Sequence, residues 1–195
     1  MTVTIQTIGT EQFSLYDAIP INFEVTSVLR VEVVDGGFGG FRLVEEALDT
    51  PYLKDYNISD EDGPTAWARD FDVSQWVISV AFEGERPLGG VTVVPDFGLC
   101  PSGPCPRQDL AVVWDIRVHP DARGQGIGAQ LVHCAAGWAR QKGFGQLVFE
   151  TQNVNVPACR FYARQGCTLG AIHRFGYAGC SDIAHEAVLL WYLDL

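Results

Sequence analysis

The feature of this sequence most suited to binding an anion is a group of three glycines within five residues. The segment reads Arg123-Gly124-Gln125-Gly126-Ile127-Gly128, with Ala129 next. Glycine lets the backbone turn tightly and leaves no Cβ between its N–H groups and a ligand. A helix N-terminus adds unpaired N–H groups and the positive end of the helix dipole. We therefore expect a phosphate or pyrophosphate here, with Arg123 able to add a bidentate contact.

The residues on either side of the glycines predict the elements that hold them. An apolar run, residues 111–118, precedes the turn and is typical of a buried strand. After the turn, Ile127, Leu131, Ala135 and Trp138 recur at helical spacing, and Gly143 can end the helix in a left-handed conformation. The sequence thus predicts strand, glycine turn and helix.

Glycine turns of this kind serve several functions, so alternatives must be weighed. A Walker loop is excluded, because Ala129-Gln130-Leu131 follow the last glycine and supply neither lysine nor hydroxyl. A dinucleotide-binding turn fits the glycine spacing, and Glu150 at the end of the next apolar run could contact a ribose. However, residues 151–195 are too few to complete a doubly wound sheet. An ordinary tight turn stays open on the glycines alone.

Two motifs together resemble the GNAT acetyltransferases. Ile116-Arg117-Val118-His119-Pro120, followed by Arg123-x-x-Gly126-x-Gly128, is similar to the strand and acyl-CoA loop of that family. Downstream, Asn155-x-x-Ala158-x-x-Phe161-Tyr162-x-x-x-Gly166 is similar to its second motif. Cys167 stands where phenylalanine is usual, which changes packing rather than chemistry. Two motifs in the right order are far more specific than one.

The resemblance implies a fold and a co-substrate. The fold is α+β of the GNAT type, a mixed, mostly antiparallel central sheet that splays between two adjacent strands and is flanked by helices. Acetyl-CoA is the implied co-substrate, with its pantetheine on the strand backbone and near Asn155 and its pyrophosphate on the turn. The implied binding residues are Ile116, Arg117, Val118, Arg123, Gly124, Gln125, Gly126, Ile127, Gly128, Ala129 and Asn155.

Acetyl transfer to an amine needs a proton donor and a proton acceptor. By resemblance, Tyr162 is the general acid that protonates the departing CoA thiolate; its helical spacing also fits an ordinary core position. Asp115 and Glu150 flank the expected cofactor site and are candidate bases for the amine proton. Either could instead be structural, with bulk water accepting the proton.

Composition and charge bear on organisation and partners. With 195 residues, 47% of them hydrophobic, the chain is expected to form a single domain. Residues 1–110 hold 18 acidic and 6 basic residues, whereas residues 111–195 hold 6 and 7. We interpret the first part as the acceptor side, suited to a cation, and the second as the acetyl-CoA side. Acidity that serves solubility alone explains the same numbers. No basic stripe favours nucleic acid.

Within the family, the residues most resemble the streptothricin acetyltransferases. The stretches that carry this likeness are residues 41–43, 51–56 and 150–158. It implies acetylation of the β-lysine amine of a cationic antibiotic, which confers resistance. A polyamine or a protein or peptide amine stays open as the acceptor, and so does a non-catalytic module that senses acyl-CoA. Asp60-Glu61-Asp62, the densest acidic run, could touch the acceptor or be a solvated face.

The remaining predictions concern topology and location. Residues 23–34 and 41–46, joined by a glycine-rich turn, predict a β-hairpin inserted before the family core, and residues 50–56 are expected to be loop. No segment suggests a membrane span or a signal peptide, so a cytoplasmic protein is expected. Cys100 and Cys105 lack a second ligand pair, so no metal is expected. A homodimer is compatible with the sequence.

Overall fold

A computed structural model describes residues 2–56, 63–96, 105 and 107–195. Asp60-Glu61-Asp62 and Cys100 lie outside the described residues. The chain groups into two compact units. Unit 1 comprises Met1–Phe23, Asp55–Val148 and Asp194–Leu195, and unit 2 comprises Glu24–Lys54 and Phe149–Leu193. The predicted division at residue 110 stays an interpretation of charge and motif.

Nine strands and four α-helices lie within the described residues. In chain order they are β1 Thr4–Thr7, α1 Phe13–Asp17, β2 Asn22–Val33, β3 Phe41–Asp55, α2 Pro64–Asp70, β4 Val77–Glu83, β5 Arg86–Pro95, β6 Leu110–Val118, α3 Ile127–Gln141, β7 Gln146–Gln152, α4 Val156–Arg164, β8 Thr168–His173 and β9 Val188–Asp194. No helix in the described ranges is long and apolar enough to cross a membrane.

Unit 1 is built on a sheet in which β1, β4, β5, β6 and the first residues of β7 lie side by side. The pairs β1–β4, β4–β5 and β5–β6 are antiparallel. Thr92 pairs with Asp115 and Val93 with Val113, so Trp114 is an extra residue on β6. Such a bulge bends and twists a strand locally. It lies next to Asp115, one of the predicted site residues.

Two adjacent glycines of β5 let helices approach both faces of this sheet. A Cβ on Gly89 would meet the Ile127 and Leu131 side chains of α3 at 3.3 and 3.2 Å. A Cβ on Gly90 would lie 2.3 Å from the Tyr16 ring of α1. Since successive residues of a strand face opposite sides of the sheet, Gly89 leaves room for α3 on one face and Gly90 leaves room for α1 on the other. Tyr16 and Leu131 are fully buried.

Unit 2 contains the end of β7, then β9 and β8, together with α4 and a separate two-stranded sheet of β2 and β3. Asn153, just after β7, makes four hydrogen bonds that tie these parts together. It bonds to Leu29 of β2 through its carbonyl oxygen and side-chain amide at 2.9 and 3.0 Å. It also exchanges bonds with Ala187 before β9, at 3.0 and 2.8 Å. The hairpin is therefore fastened to the β7 and β9 side of its own unit.

The predicted hairpin, the strand at 111–118 and the helix after the glycine turn are confirmed. The expectation of a loop at residues 50–56 is wrong, since β3 runs to Asp55. A proline normally argues against a strand, but Pro51 lies in a two-stranded sheet, where one side of each strand needs no partner. The short helix α2 was not predicted, because its seven residues are too few to show periodicity.

Candidate functional site

The glycine turn of unit 1 has the conformation that its composition predicts. Gly124 and Gly126 have φ angles of 75° and 82°, and apart from their chain neighbours no atom of the described residues lies within 4 Å of a Cβ built on either. Gly126 is the N-cap of α3, and its carbonyl accepts the Gln130 N–H at 3.2 Å. The N–H groups of residues 127–129 therefore lack partners within the helix. Open space beside unpaired N–H groups fits an anionic group such as a diphosphate.

Arg123 makes protein contacts at the start of this turn. Its Nε donates to the Val118 carbonyl at 3.0 Å, and one terminal nitrogen donates to the Asn22 carbonyl at 2.6 Å. The guanidinium thus braces the turn against the end of β6 and the start of β2. The phosphate contact expected of Arg123 stays a prediction, and the bracing is a role that the motif alone did not indicate.

The three β6 residues expected to hold pantetheine also pair with β5. Ile116 lies opposite Val91, Arg117 opposite Gly90 and Val118 opposite Gly89. Ile116 and Val118 are half-buried, whereas Arg117 is buried. Only main-chain groups of these residues were expected to meet the cofactor. The Arg117 side chain is engaged elsewhere in unit 1.

Asp115 lies in a buried polar network. Its carboxylate receives two bonds from the Arg117 guanidinium, at 2.9 and 2.6 Å, and the Tyr16 hydroxyl donates to it at 2.5 Å. Arg117 also donates to the Ile19 carbonyl at 3.3 Å. Burial, reinforced by the charge of Asp115, raises the pKa of Tyr16 well above its ordinary value. The network joins β6 to α1, and it could not be predicted from local patterns, since residue 16 is far from residue 115 in the chain.

In unit 2, α4 carries two of the predicted residues. The Asn155 side-chain oxygen accepts the Ala158 N–H at 3.2 Å and so caps the helix, leaving its amide NH2 to donate elsewhere. Tyr162 is buried, with its ring centroid 4.8 Å from that of Phe149 and 5.5 Å from that of Phe161. The ring is thus a core element, and the acid role of its hydroxyl stays a prediction.

Glu150 is exposed on β7 and has a defined orientation in unit 2. Its Oε1 accepts a bond from the Tyr177 hydroxyl at 2.7 Å, and that hydroxyl accepts one from Gln152 Nε2 at 2.8 Å. Gln152 is two residues from Glu150 and so lies on the same side of the strand. The spacing of Glu150 and Gln152 could therefore have been recognised in the sequence. No such signal marks Tyr177, because it comes from the loop between β8 and β9.

A buried ion pair of unit 2 was also not predicted from the sequence. Lys54, near the end of β3, forms an ion pair with Glu186, and the two side chains are 10% and 2% exposed. Tyr52 lies on the same side of β3 as Lys54. Burial raises the pKa of Tyr52, and the negative charge of Glu186 adds to the effect. These residues join the hairpin to the segment that leads into β9.

Together, the antiparallel sheet, the open glycine turn at a helix N-terminus and the capped second helix define an acyl-CoA-binding transferase. The model of the acetyltransferase (GNAT) family matches residues 41–167. The chain therefore belongs to the GNAT family of acetyltransferases, enzymes that use acetyl-CoA, and the predicted α+β GNAT fold is confirmed.

Within the family, the chain is similar in sequence to streptothricin acetyltransferases. Streptothricin acetyltransferase A of Bacillus subtilis (strain 168) is 38% identical over 154 residues, 79% of this chain and 80% of the relative. Streptothricin acetyltransferase of Escherichia coli is 32% identical over 171 residues, 88% and 84% of the two chains.

Solved structures show the same fold. The crystal structure of a nourseothricin acetyltransferase matches with a TM-score of 0.78 and 27% sequence identity, and the match covers 100% of this chain and 99% of that one. A Bacillus anthracis protein solved with acetyl coenzyme A also has a TM-score of 0.78, at 22% identity, covering 100% and 98%.

Proposed function

We propose that this protein acetylates streptothricin on its β-lysine amine, with acetyl-CoA as the acetyl donor, and thereby confers resistance. The observation that carries the proposal is the likeness to streptothricin acetyltransferases. Two of them are 38% and 32% identical over 79% and 88% of this chain. A likeness of that length includes the acceptor side as well as the motifs that all acyl-CoA enzymes of this fold share.

The charge of the chain supports a cationic acceptor. The net charge is −11, and residues 1–110 contribute 18 acidic against 6 basic residues. A field of this sign attracts a polycation and raises its local concentration. Residues 111–195, with 6 acidic and 7 basic residues, do not repel the anionic co-substrate.

The glycine turn of unit 1 supplies the acetyl-CoA side of the reaction. The N–H groups of residues 124–129 would hold the diphosphate, and main-chain groups of Ile116, Arg117 and Val118 would hold the pantetheine arm together with the Asn155 amide. Acetyl-CoA brings a thioester carbonyl that an amine can attack. Backbone N–H groups near Ile116 would polarise that carbonyl and stabilise the negative charge that develops on its oxygen.

For the amine proton, the contacts favour Glu150 over Asp115. The Asp115 side chain is 10% exposed and bound by Arg117 and Tyr16, whereas Glu150 is exposed and accepts a hydrogen bond from Tyr177. In our proposal Glu150 accepts one proton from the acceptor ammonium, so that the neutral nitrogen can attack the thioester. Tyr162 then protonates the sulfur as the C–S bond breaks. The second nitrogen proton restores the phenol, and Glu150 returns its proton to water, for a net release of one proton.

Turnover by the purified protein tests the proposal. Acetyl-CoA is supplied with streptothricin, polyamines, aminoglycosides or peptide amines, and CoA release is followed with DTNB. We expect the highest kcat/KM with streptothricin, and mass spectrometry of the product should locate one acetyl group on the β-lysine moiety. A higher kcat/KM for a polyamine or peptide would reject this acceptor in favour of the other. Tight acetyl-CoA binding without turnover of any amine would indicate a sensor.

Two further expectations belong to the same proposal. A homodimer is compatible with the sequence, and light scattering of the purified chain decides between one copy and two. A cytoplasmic location suits an enzyme that uses acetyl-CoA, and fractionation of expressing cells tests it.

A further inference from the structure

The loop between β8 and β9 holds a tyrosine against the carboxylate proposed above as the base. The Tyr177 hydroxyl lies 2.7 Å from Glu150 Oε1 and 2.8 Å from Gln152 Nε2. An amide NH2 can only donate, and a hydroxyl has a single proton. Because Gln152 occupies a lone pair of the hydroxyl, the Tyr177 proton is directed to Glu150. The three side chains therefore form a chain of hydrogen bonds with one defined direction.

The loop that carries Tyr177 is held by its own turns. The Phe175 N–H donates to His173 Nδ1 at 3.2 Å, and the Cys180 N–H donates to the Tyr177 carbonyl at 2.8 Å. The Glu186 N–H donates to the Ile183 carbonyl, also at 2.8 Å. Successive turns of this kind give a segment without regular structure a fixed path. Tyr177 thus approaches Glu150 from a built loop.

The far end of the loop is anchored on the inserted hairpin and on Asn153. Glu186 is paired with Lys54 of β3 in a buried setting, and the Ala187 N–H donates to the Asn153 side chain at 2.8 Å. Asn153 in turn bonds to Leu29 of β2. All of these residues belong to unit 2. The hairpin therefore supports the loop that orients Glu150.

We infer that Tyr177 is a positioning residue for acetyl transfer, acting through Glu150 with Gln152 behind it. Tyr177 holds Oε1, which leaves Oε2 to take the proton of the acceptor ammonium. The inference rests on the proposed function, because it assigns Glu150 the role of base.

A double-mutant cycle with Tyr177→Phe and Glu150→Gln tests the inference. The amine is whichever one the purified wild-type enzyme acetylates most efficiently. We expect Tyr177→Phe to lower kcat about tenfold, the loss of one hydrogen bond to a charged group. The KM for acetyl-CoA should not change. In the Glu150→Gln background, Tyr177→Phe should cause no further loss.

Matched controls separate positioning from folding. Ser181→Ala removes another hydroxyl of the same loop, one that bonds to Asp182 at 3.1 Å, and should leave the kinetics at the wild-type level. Gln152→Leu removes the donor behind Tyr177 and should give a smaller loss of kcat with an unchanged KM for acetyl-CoA. Thermal unfolding of each variant shows whether the fold is retained. If Tyr177→Phe unfolds, Gln152→Leu measured with and without Glu150→Gln decides the matter.

Each outcome bears on one idea. If Tyr177→Phe is as active as Ser181→Ala, or if its loss is equally large without the Glu150 carboxylate, Tyr177 does not act through Glu150. Full activity of Glu150→Gln overturns the inference too, while acetylation of streptothricin would stand. If streptothricin is not acetylated but another amine is, the proposed acceptor is wrong, and the cycle measured with the other amine still decides the role of Tyr177.

Discussion

At the scale of single residues, the proposed chemistry depends on where each polar side chain is held. Tyr162 and Asp115 were both predicted from sequence to act in catalysis, and both occur in well-packed surroundings. Tyr162 packs against Phe149, and Asp115 is bound by Arg117 and Tyr16. For Tyr162 this is compatible with a positioned acid, since a fixed ring holds its hydroxyl in one place. For Asp115 it favours a structural role.

Replacing Tyr162 by phenylalanine should separate chemistry from packing. The ring and its contact with Phe149 are retained, so the thermal unfolding temperature should remain close to that of the wild type. If the hydroxyl protonates the CoA thiolate, kcat should fall about a hundredfold, with little change in acetyl-CoA binding. Steady-state kinetics and calorimetric titration with acetyl-CoA measure the two effects. An unchanged kcat would remove Tyr162 from the mechanism.

Asp115→Asn should act mainly on stability. The substitution takes from Arg117, whose side chain is 4% exposed, the carboxylate that binds its guanidinium. Loss of one partner of a buried pair costs about 3 kcal/mol or more. We expect a lower urea midpoint and an almost unchanged kcat per folded molecule. A large loss of kcat in a variant of wild-type stability would instead identify Asp115 as the base.

Thiol reactivity should follow burial. Burial raises the pKa of Cys159 to about 12 and that of Cys167 to about 11. Both thiols are therefore protonated at pH 8 and should react slowly. Cys105 and Cys180 are exposed. DTNB should therefore label Cys105 and Cys180 in the native protein and the buried pair only in denaturant, as peptide mapping would show. Equal native rates at all four would contradict the packing of α4. The same labelling sets the blank for the CoA release assay.

At the scale of elements, much of the structure follows from local rules. The strand, glycine turn and helix around Gly126 were predictable, because hydrophobic periodicity and glycine placement are local signals. Asn155 was predictable as a helix cap for the same reason. The β6 bulge at Trp114 and the partners of Asp115 were not, since they depend on which strand and which helix lie opposite. Tyr177 belongs to a loop, and loops have no hydrophobic periodicity from which its position could be predicted.

The helix α3 offers a matched pair of glycine substitutions. Gly126 has a φ of 82°, a conformation that costs an L-residue roughly 1–2 kcal/mol, so Gly126→Ala strains the turn. We expect a KM for acetyl-CoA raised about tenfold. Gly137 is inside the same helix with open space at its Cβ, so Gly137→Ala should stabilise the protein by up to about 1 kcal/mol with unchanged KM. An equal KM in both variants would mean that the turn does not bind the co-substrate.

At the scale of the whole molecule, the hairpin of β2 and β3 needs an explanation. A two-stranded sheet is marginally stable alone, and most side chains of β3 are exposed. Polar contacts fasten it within unit 2, among them the bonds of Asn153 to Leu29 and the pair of Lys54 with Glu186. Both contacts also define the path of the segment around Ala187. The hairpin thus contributes to the side of unit 2 that carries Glu150.

The pair of Lys54 with Glu186 gives the sharpest test of that role. Glu186 is 2% exposed, and one of its oxygens, Oε2, has no hydrogen-bond partner within the described part of the chain. Removing Lys54 leaves a buried carboxylate uncompensated, so Lys54→Met should destabilise the protein by about 3–5 kcal/mol. Replacing both residues by apolar ones, as in Lys54→Met with Glu186→Leu, should recover most of that loss. Urea unfolding of the two single variants and the double variant measures the coupling.

The same variants show whether the hairpin serves the site or only the fold. If the pair anchors the loop that orients Glu150, the double variant should regain stability while its kcat stays low. Its KM for acetyl-CoA should equal that of the wild type, because neither Lys54 nor Glu186 is among the residues proposed to bind the co-substrate. Full recovery of kcat along with stability would mean that apolar packing holds the loop equally well. In that case the charged pair would specify the fold and contribute nothing further to the reaction.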